Sequence, residues 1–545
     1  MQGSLSLLLA ALACAVPSTN AASSPQVQTL NGSYAGIDLP GLQQELYLGI
    51  PYAKPPTETL RYRPPQFLDS KWNGTRDAKT LPNACPQYPI SNGIDDLGVS
   101  LNEDCLQLNI AKPAGASEGL PVLVWIHGGS YQNGYSALPQ YNMSYLVNES
   151  VAMGKPIIGV SINYRLAYFG FLASNEIQNS GNANLGLRDQ QLAFQWIQEN
   201  VEAFGGDPTK VTIWGESAGA MSVGAHLFSN GGDNQGLYRA AILESGGATV
   251  DAYNGTDYYQ PFYDDIVANL SCSDAYDTLD CLRSVPYEDL YAKLSDIGNT
   301  VYRFDYMPII DGDLLREWPH SAMLSGRTAN VPIITGHVTD EGSAFCPTDL
   351  NTTAQIHEYL LYDGQYKLKN ATVNRLLELY PDVASLGSPF NDVNVTTYPG
   401  FGRQFKRIAA MLGDYLLIAP HRFNAETSIA QGRDVWAYRF NIQLSTYPAA
   451  YGIPHGSDIP FVFGIPSGEY SDEMNTTSRL MTRSWVAFTH DLDPNGVDLV
   501  GAPSWPRYNE GPKNLLFGET VEVEDAVYRE EGIRFINEHL LEFVA

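Results

Sequence analysis

An apolar strand pattern that runs into a glycine-flanked serine constrains the fold of this chain most strongly. Residues 211–221 read Val-Thr-Ile-Trp-Gly-Glu-Ser-Ala-Gly-Ala-Met. The β-branched and aromatic start predicts a strand, and the small residues that follow predict a helix. The two glycines leave room for a sharp turn between the strand and the helix, with Ser217 at its apex. A hydroxyl held there is placed to attack a carbonyl carbon.

Partners for such a serine are found in three other loops. A serine hydroxyl is a weak nucleophile, so it needs a histidine base, a carboxylate that orients the base, and backbone donors for the oxyanion. A glycine-rich loop, 127–131, follows the predicted strand 121–126. Asp340 and Glu341 follow a second predicted strand, and His455 lies in a later loop between glycines. The order nucleophile, acid, histidine is that of α/β-hydrolases.

Ordered segments along almost the whole chain resemble the type-B carboxylesterase/lipase family of fungal lipases, animal carboxylesterases and cholinesterases. Besides the serine turn, the similarity is carried by segments 48–53, 102–109, 184–190, 204–208, 244–247, 340–342 and 455–456. The resemblance implies an α/β fold of the α/β-hydrolase type, with a central, mostly parallel sheet flanked by helices. It also implies a serine carboxylic ester hydrolase that forms an acyl-enzyme and needs no cofactor.

The resemblance assigns Ser217, Glu341 and His455 to a catalytic triad. It favours Glu341 over Asp340 as the acid, and the alternative role of Asp340 is to cap a loop. Non-catalytic adhesion proteins of the same family lose triad members, whereas all three are present here. The sequence therefore favours an enzyme over a binding protein.

The same resemblance places the oxyanion donors on the backbone N–H groups of Gly129, Ser130 and Ala218. The family usually carries a third glycine where this chain has Ser130, so the backbone there must suit a residue with a Cβ. Three further residues match positions that orient the triad, with a plain structural role as the alternative: Glu216, Ser245 and Asp458.

Histidines outside the triad have structural explanations. His127 belongs to the glycine-rich loop, and His226, nine residues into the elbow helix, is expected to pack in the core. No two histidines have the spacing of a zinc site, so we predict no metal.

The N-terminus predicts secretion. An apolar run within residues 1–22 followed by small residues is typical of a signal peptide, which leaves 23–545 as a single catalytic domain. No later stretch is long enough to span a membrane. Ten Asn-x-Ser/Thr sequons are candidates for N-glycosylation: Asn31, Asn73, Asn142, Asn148, Asn254, Asn269, Asn351, Asn370, Asn394 and Asn475.

Cysteine usage agrees with an oxidising compartment. The family resemblance implies disulfides between Cys85 and Cys105 and between Cys272 and Cys281. Cys346 is left over, and we expect a buried, inert thiol there.

Charge excludes one class of partner. The formal net charge is −28, so nucleic-acid phosphates would be repelled, and the expected partner is a small-molecule ester. The sequence leaves the oligomeric state open.

The composition of the first disulfide loop gives information about the class of substrate. Its residues 86–104 include no Trp, whereas cholinesterases carry one there to bind choline. Pro86, Pro89, Gly93 and Gly98 break any long helix, so the loop is unsuited to a broad lipid-docking lid. We therefore expect short- to medium-chain or otherwise soluble esters, with a triacylglycerol lipase as the alternative.

Hydrophobic patterns predict the elements that surround these loops. Strands are expected at 121–126, 156–162, 210–214, 239–244, 331–336 and 434–440, and helices at about 186–203 and about 525–543.

Overall fold

The structure is a computed structural model that describes residues 24–88, 99–115, 118–250, 253–297, 306–363, 368–497 and 499–543. The predicted signal peptide and residues 89–98 of the first disulfide loop lie outside these ranges. The strands of the described residues are Gln26–Gln28 (β1), Ser33–Ala35 (β2), Ile37–Leu39 (β3), Gln44–Pro51 (β4), Thr75–Asp77 (β5), Gln107–Pro113 (β6), Leu120–Ile126 (β7), Ile158–Ile162 (β8), Gly206–Glu216 (β9), Ala240–Glu244 (β10), Ile333–Val338 (β11), Val435–Phe440 (β12), Lys513–Phe517 (β13) and Val521–Asp525 (β14).

The helices of the described residues are Met143–Ala152 (α1), Ala167–Phe171 (α2), Asn175–Asn179 (α3), Leu185–Asn200 (α4), Ala218–Phe228 (α5), Thr256–Asn269 (α6), Thr278–Ser284 (α7), Tyr287–Ile297 (α8), Pro319–Ser325 (α9), Thr353–Glu358 (α10), Asn370–Leu379 (α11), Phe405–Gly413 (α12), Ala419–Ala430 (α13), Ile459–Val462 (α14), Asp472–Asp491 (α15), Glu530–Glu538 (α16) and Leu540–Phe543 (α17). None of these helices is long and apolar enough to cross a membrane.

A large sheet holds eleven of the described strands, in the order β14-β13-β12-β11-β10-β9-β7-β8-β6-β4-β3. The seven strands from β13 to β8 pair in parallel, and the strands outside them pair antiparallel. Strands β1, β2 and β5 form a separate small sheet. The predicted α/β class with a mostly parallel central sheet is confirmed.

Strands β7 and β9 show why the centre of the sheet is stable. Every residue of β7 is buried, as expected for a parallel strand that is covered on both faces. Trp125 and Trp214 are register partners on one face, with ring centroids 4.4 Å apart. Val124 and Ile213, also register partners, belong to the core of the other face. This packing fixes the strand ends from which the functional loops leave.

The C-terminal helix, predicted at about 525–543, starts five residues later than predicted. Residues Val521–Asp525 form the edge strand β14, which pairs antiparallel with β13, and the helix begins only at Glu530. Valine and acidic residues alternate in Val-Glu-Val-Glu-Asp, which has the two-residue period of a strand rather than that of a helix. The six predicted strands are all present, and α4 covers most of the predicted helix 186–203.

Candidate active site

The nucleophile elbow joins β9 to α5. Ser217 has φ 56° and ψ −127°, a conformation that residues with a Cβ rarely adopt. A side chain at Gly215 would collide with the backbone of Gly219, and one at Gly219 would collide with the carbonyl oxygen of Ile126. The tight strand-to-helix turn therefore depends on both glycines. Ser217 is 9% exposed at the carboxyl edge of the sheet.

His455 is bound firmly on one side. Its Nδ1 lies 2.6 Å from Oε2 of Glu341, and Oε1 of Glu341 accepts the backbone N–H of Val338 at 2.9 Å. Glu341 is fully buried just after β11, while the loop after β12 carries His455. The ring of Phe345 contacts the imidazole edge-to-face, with centroids 4.9 Å apart. This arrangement fixes the orientation of the imidazole.

Asp340 has a different set of partners. Its Oδ1 accepts the hydroxyl of Ser388 at 2.7 Å and the N–H of Phe390 at 3.2 Å, and its Oδ2 accepts the N–H of Ile453 at 2.9 Å. Asp340 thus joins the loop before His455 to residues 388–390. The geometry favours Glu341 as the acid and a loop-joining role for Asp340.

The other nitrogen of the imidazole is buried but has no hydrogen bond. Nε2 of His455 makes no hydrogen bond and lies 3.1 Å from Oε1 of Glu216, the residue before Ser217. The structure brings His455 to the serine turn but does not join Nε2 to the serine hydroxyl. Catalytic hydrogen bonds are often long in unliganded enzymes and shorten when substrate is bound.

The glycine-rich loop lies directly against the nucleophile. A Cβ at Gly128 would come within 3.0 Å of the Cβ of Ser217, so the backbone approaches the serine as closely as a glycine permits. Gly129, Ser130 and Tyr131 all have positive φ, at 109°, 56° and 58°. Ser130, which departs from the family pattern, therefore adopts a left-handed conformation in spite of its Cβ. The loop can still present its N–H groups to an oxyanion.

His127 and His226 are buried in structural roles. The ring of His127 stacks on Tyr164, with centroids 4.5 Å apart, and burial lowers its pKa to about 4. His226 Nε2 lies 2.9 Å from Oε1 of Gln190, and burial lowers its pKa to about 3. Both rings are neutral at ordinary pH, and the hydrogen bonds of both rings within the described residues go to groups other than Ser217.

Carboxyl groups set the electrostatics around His455. Burial opposes protonation of the imidazole, but Glu216 and Glu341 outweigh it and raise the pKa of His455 to about 9. Burial raises the pKa of Glu216 to about 8. Burial also raises the pKa of Asp458 to about 6, although its hydrogen bond from Tyr438 lowers it.

Of the three residues expected to orient the triad, only Glu216 approaches the imidazole directly. Asp458 accepts the hydroxyl of Tyr438 at 2.8 Å, and Ser245 has a buried hydroxyl without a hydrogen-bond partner. Sequence reasoning missed Tyr438 and Glu244, which also lie at this edge of the sheet. The signal for Glu244 was an acidic residue at the end of a fully apolar strand.

Both disulfides that the resemblance implies are formed, Cys85 to Cys105 and Cys272 to Cys281. Cys346 is free and buried, and burial raises the pKa of its thiol. The base of the first loop is held by Arg61, which donates to both carboxylate oxygens of Glu103 at 2.5 and 2.7 Å.

Comparison with known proteins decides the family. The model of the Carboxylesterase family matches residues 23–535. The chain belongs to this family. The fold is accordingly that of the α/β-hydrolases, and the protein is a carboxylic ester hydrolase, which confirms the resemblance and the activity predicted from the sequence.

Similar members of the family come from fungi. "Secreted lipase 1" of Botryotinia fuckeliana is 38% identical over 92% of this chain and 90% of its own length. "Lipase 4" of Diutina rugosa is 36% identical over 91% of this chain and 92% of its own length. "Secreted triacylglycerol lipase LIP1" of Gibberella zeae is 37% identical, over 90% and 86% of the two chains.

Proposed function

We propose that the enzyme hydrolyses esters through Ser217, with His455 as general base and Glu341 as the group that orients it. The observation that carries the proposal is the 2.6 Å contact between Nδ1 of His455 and Glu341, beside the serine turn. That contact leaves Nε2 as the nitrogen that exchanges protons with the serine hydroxyl and the leaving group.

The reaction has two halves. Ser217 Oγ attacks the ester carbonyl while His455 Nε2 takes its proton, and the N–H groups of Gly129, Ser130 and Ala218 bind the oxyanion. The C–O bond to the alcohol then breaks, and the alcohol leaves with the proton from His455. Water attacks the acyl-enzyme by the same route, and the acid is released with Ser217 regenerated.

We propose short- to medium-chain or otherwise soluble esters as the first substrates. Only nineteen residues separate Cys85 from Cys105, and glycines and prolines interrupt them. From its length and composition, we expect no long amphipathic flap in this loop. A triacylglycerol lipase is the second candidate, because two of the similar proteins carry "secreted" and "lipase" in their names and one names triacylglycerol.

A substrate series separates the two candidates. Purified enzyme is assayed on p-nitrophenyl esters from C2 to C16, and on tributyrin below and above its solubility limit. A soluble-ester hydrolase prefers the short chains and shows no rise in rate when tributyrin forms an emulsion. A clear rise at the emulsion would give first place to the lipase.

We also propose secretion, with residues 1–22 removed as a signal peptide and 23–545 as the mature, single-domain enzyme. Relatives named as secreted support this proposal. Eight of the ten sequon asparagines are exposed, and Asn31 and Asn254 are half-buried. A loss of apparent mass after N-glycosidase treatment of the secreted protein would test glycosylation.

A further inference from the structure

Four buried carboxyl groups converge behind the serine turn and the catalytic loop. Glu216 is 4% exposed, and Glu244, Glu341 and Asp458 are fully buried. Among the described residues, the ion pairs of this group involve His455 alone, which contacts Glu216 and Glu341. One imidazole therefore faces more carboxyl groups than it can compensate as ions.

Glu244 has neutral partners. Its Oε1 accepts two indole N–H groups, from Trp214 at 2.7 Å and from Trp485 at 2.6 Å. Its Oε2 is buried and has no hydrogen-bond partner. Trp214 belongs to β9 and Trp485 to α15, so Glu244 connects the elbow strand to a helix that packs on the sheet. An ionised Glu244 would carry charge on an oxygen that no donor reaches.

Asp458 belongs to the same cluster. Its Oδ2 accepts the hydroxyl of Tyr438, while its Oδ1 is buried without a partner. The Tyr438 ring packs edge-to-face on Trp485, with centroids 5.3 Å apart, and Trp485 also donates to Glu244. Two carboxyl groups in one aromatic core thus each have an oxygen that lacks a donor.

Desolvation decides the protonation state of such a group. A buried carboxyl without a cation keeps its proton, because an uncompensated charge in a low dielectric costs far more than neutralisation. Glu341 and Glu216 contact His455, and the charge of His455 also lowers the pKa of Asp458, whereas both donors to Glu244 are neutral indoles. Burial and the repulsion from Asp458 raise the pKa of Glu244 well above its usual value. Glu244 is therefore the group of the four that is least able to ionise.

We propose that Glu244 is a permanently neutral carboxylic acid that joins β9 to α15 without adding a negative charge behind the catalytic base. The proposal rests on the proposed role of His455. An ionised Glu244 would repel Asp458 and Glu216 and change the charge that they present to His455. Glu244 acts through these neighbours and does not touch the substrate.

Infrared difference spectroscopy tests the protonation state directly. The wild-type enzyme is compared with Glu244→Gln at about pH 9, where Glu216, with its pKa of about 8, has largely ionised. The wild type should show the C=O stretch of a buried carboxylic acid, shifted in D₂O, and Glu244→Gln should lack it. The band should persist in Glu216→Gln, the matched control. A wild-type spectrum without an acid C=O band would overturn the proposal.

The pH profile of kcat/KM gives an independent measurement. Asp458→Asn removes a charge that favours the imidazolium, so the acid limb should move to lower pH by roughly one unit. Glu244→Gln should leave the midpoint of that limb unchanged, because an amide replaces an already neutral acid. A shift like that of Asp458→Asn would show that Glu244 is charged.

Neither failure of folding nor failure of the proposed mechanism would leave the inference undecided. Glutamine is nearly isosteric with a protonated glutamate, so a Glu244→Gln protein that does not fold would also contradict a neutral Glu244. The infrared band does not depend on activity. If the triad assignment failed, the band would still report whether Glu244 holds its proton.

Discussion

The two nitrogens of His455 face regions of opposite character. Behind the ring, Nδ1 is 2.6 Å from Glu341, which is itself held by the backbone N–H of Val338. In front, Nε2 has no hydrogen bond, Glu216 lies 3.1 Å away, and Ser217 lies on a strained turn. The rear region is saturated with partners, and the front region is not.

The difference follows from what each region does in the proposed reaction. The rear contact holds one tautomer and orientation throughout, so a short, buried hydrogen bond serves it well. In the front region, Nε2 must exchange a proton and the backbone N–H groups must bind a tetrahedral oxyanion. These donors therefore have to be free before the substrate is bound. Positive φ at Gly129 and Ser130 belongs to the same region. Positive φ at Ser130 and Ser217 and the free Nε2 of His455 thus lie on the side where charge changes in the proposed reaction.

Removal of the front nucleophile should have the largest effect. Ser217→Ala should lower kcat by about 10⁴- to 10⁶-fold, because it removes the hydroxyl that forms the acyl-enzyme. The fold should be unchanged, since the small alanine fits the same turn. Ser222→Ala, on the same helix α5, is the control for folding. A well-folded Ser217→Ala enzyme that keeps a tenth of its activity would refute the assignment.

The second-largest loss of activity should follow from removal of the negative charge in the rear region. Glu341→Gln should lower kcat by roughly 10³- to 10⁴-fold, because an amide no longer stabilises the imidazolium or its tautomer. Asp340→Asn should instead lower the free energy of unfolding by about 1–3 kcal/mol, since Asp340 accepts three hydrogen bonds in a loop junction. Kinetics and thermal unfolding of both variants check this, and the reverse pattern would give the acid role to Asp340.

The sequence predicted the residues on both sides of the imidazole better than the buried contacts around Glu244. Ser217, Glu341 and His455 follow strands with strong apolar patterns, and parallel strands bring their ends to one edge. The contacts of Glu244 with Trp214 and Trp485 join β9, β10 and α15 across long separations in the chain. No local pattern specifies such contacts. The last helix starts at Glu530 rather than at about 525, because residue 525 still belongs to the edge strand β14.

The charge of Glu216, in front of the imidazole ring, should control the pH dependence of kcat/KM. The proposed base works only as neutral imidazole, so kcat/KM rises with pH through the pKa of His455 and is lost as pH falls. Glu216 and Glu341 raise that pKa to about 9, so the midpoint of the acid limb should lie above the usual histidine value. Glu216→Gln removes one of these charges and should move the midpoint to lower pH by roughly one unit. A midpoint that does not move would show that Glu216 is not charged when the base acts.

The smallest effect should come from Ser130, where the front region departs from the family pattern. If the oxyanion donor is its backbone N–H, Ser130→Ala and Ser130→Gly should both keep kcat within about threefold, because neither removes that group. Glycine should also raise the free energy of unfolding by about 0.5–1 kcal/mol, since it adopts φ 56° without strain, whereas alanine should not. Steady-state kinetics and chemical denaturation measure the two effects. A tenfold loss in both variants would mean that the hydroxyl itself binds the oxyanion, and the front region would then rely on a side chain as well as on its backbone.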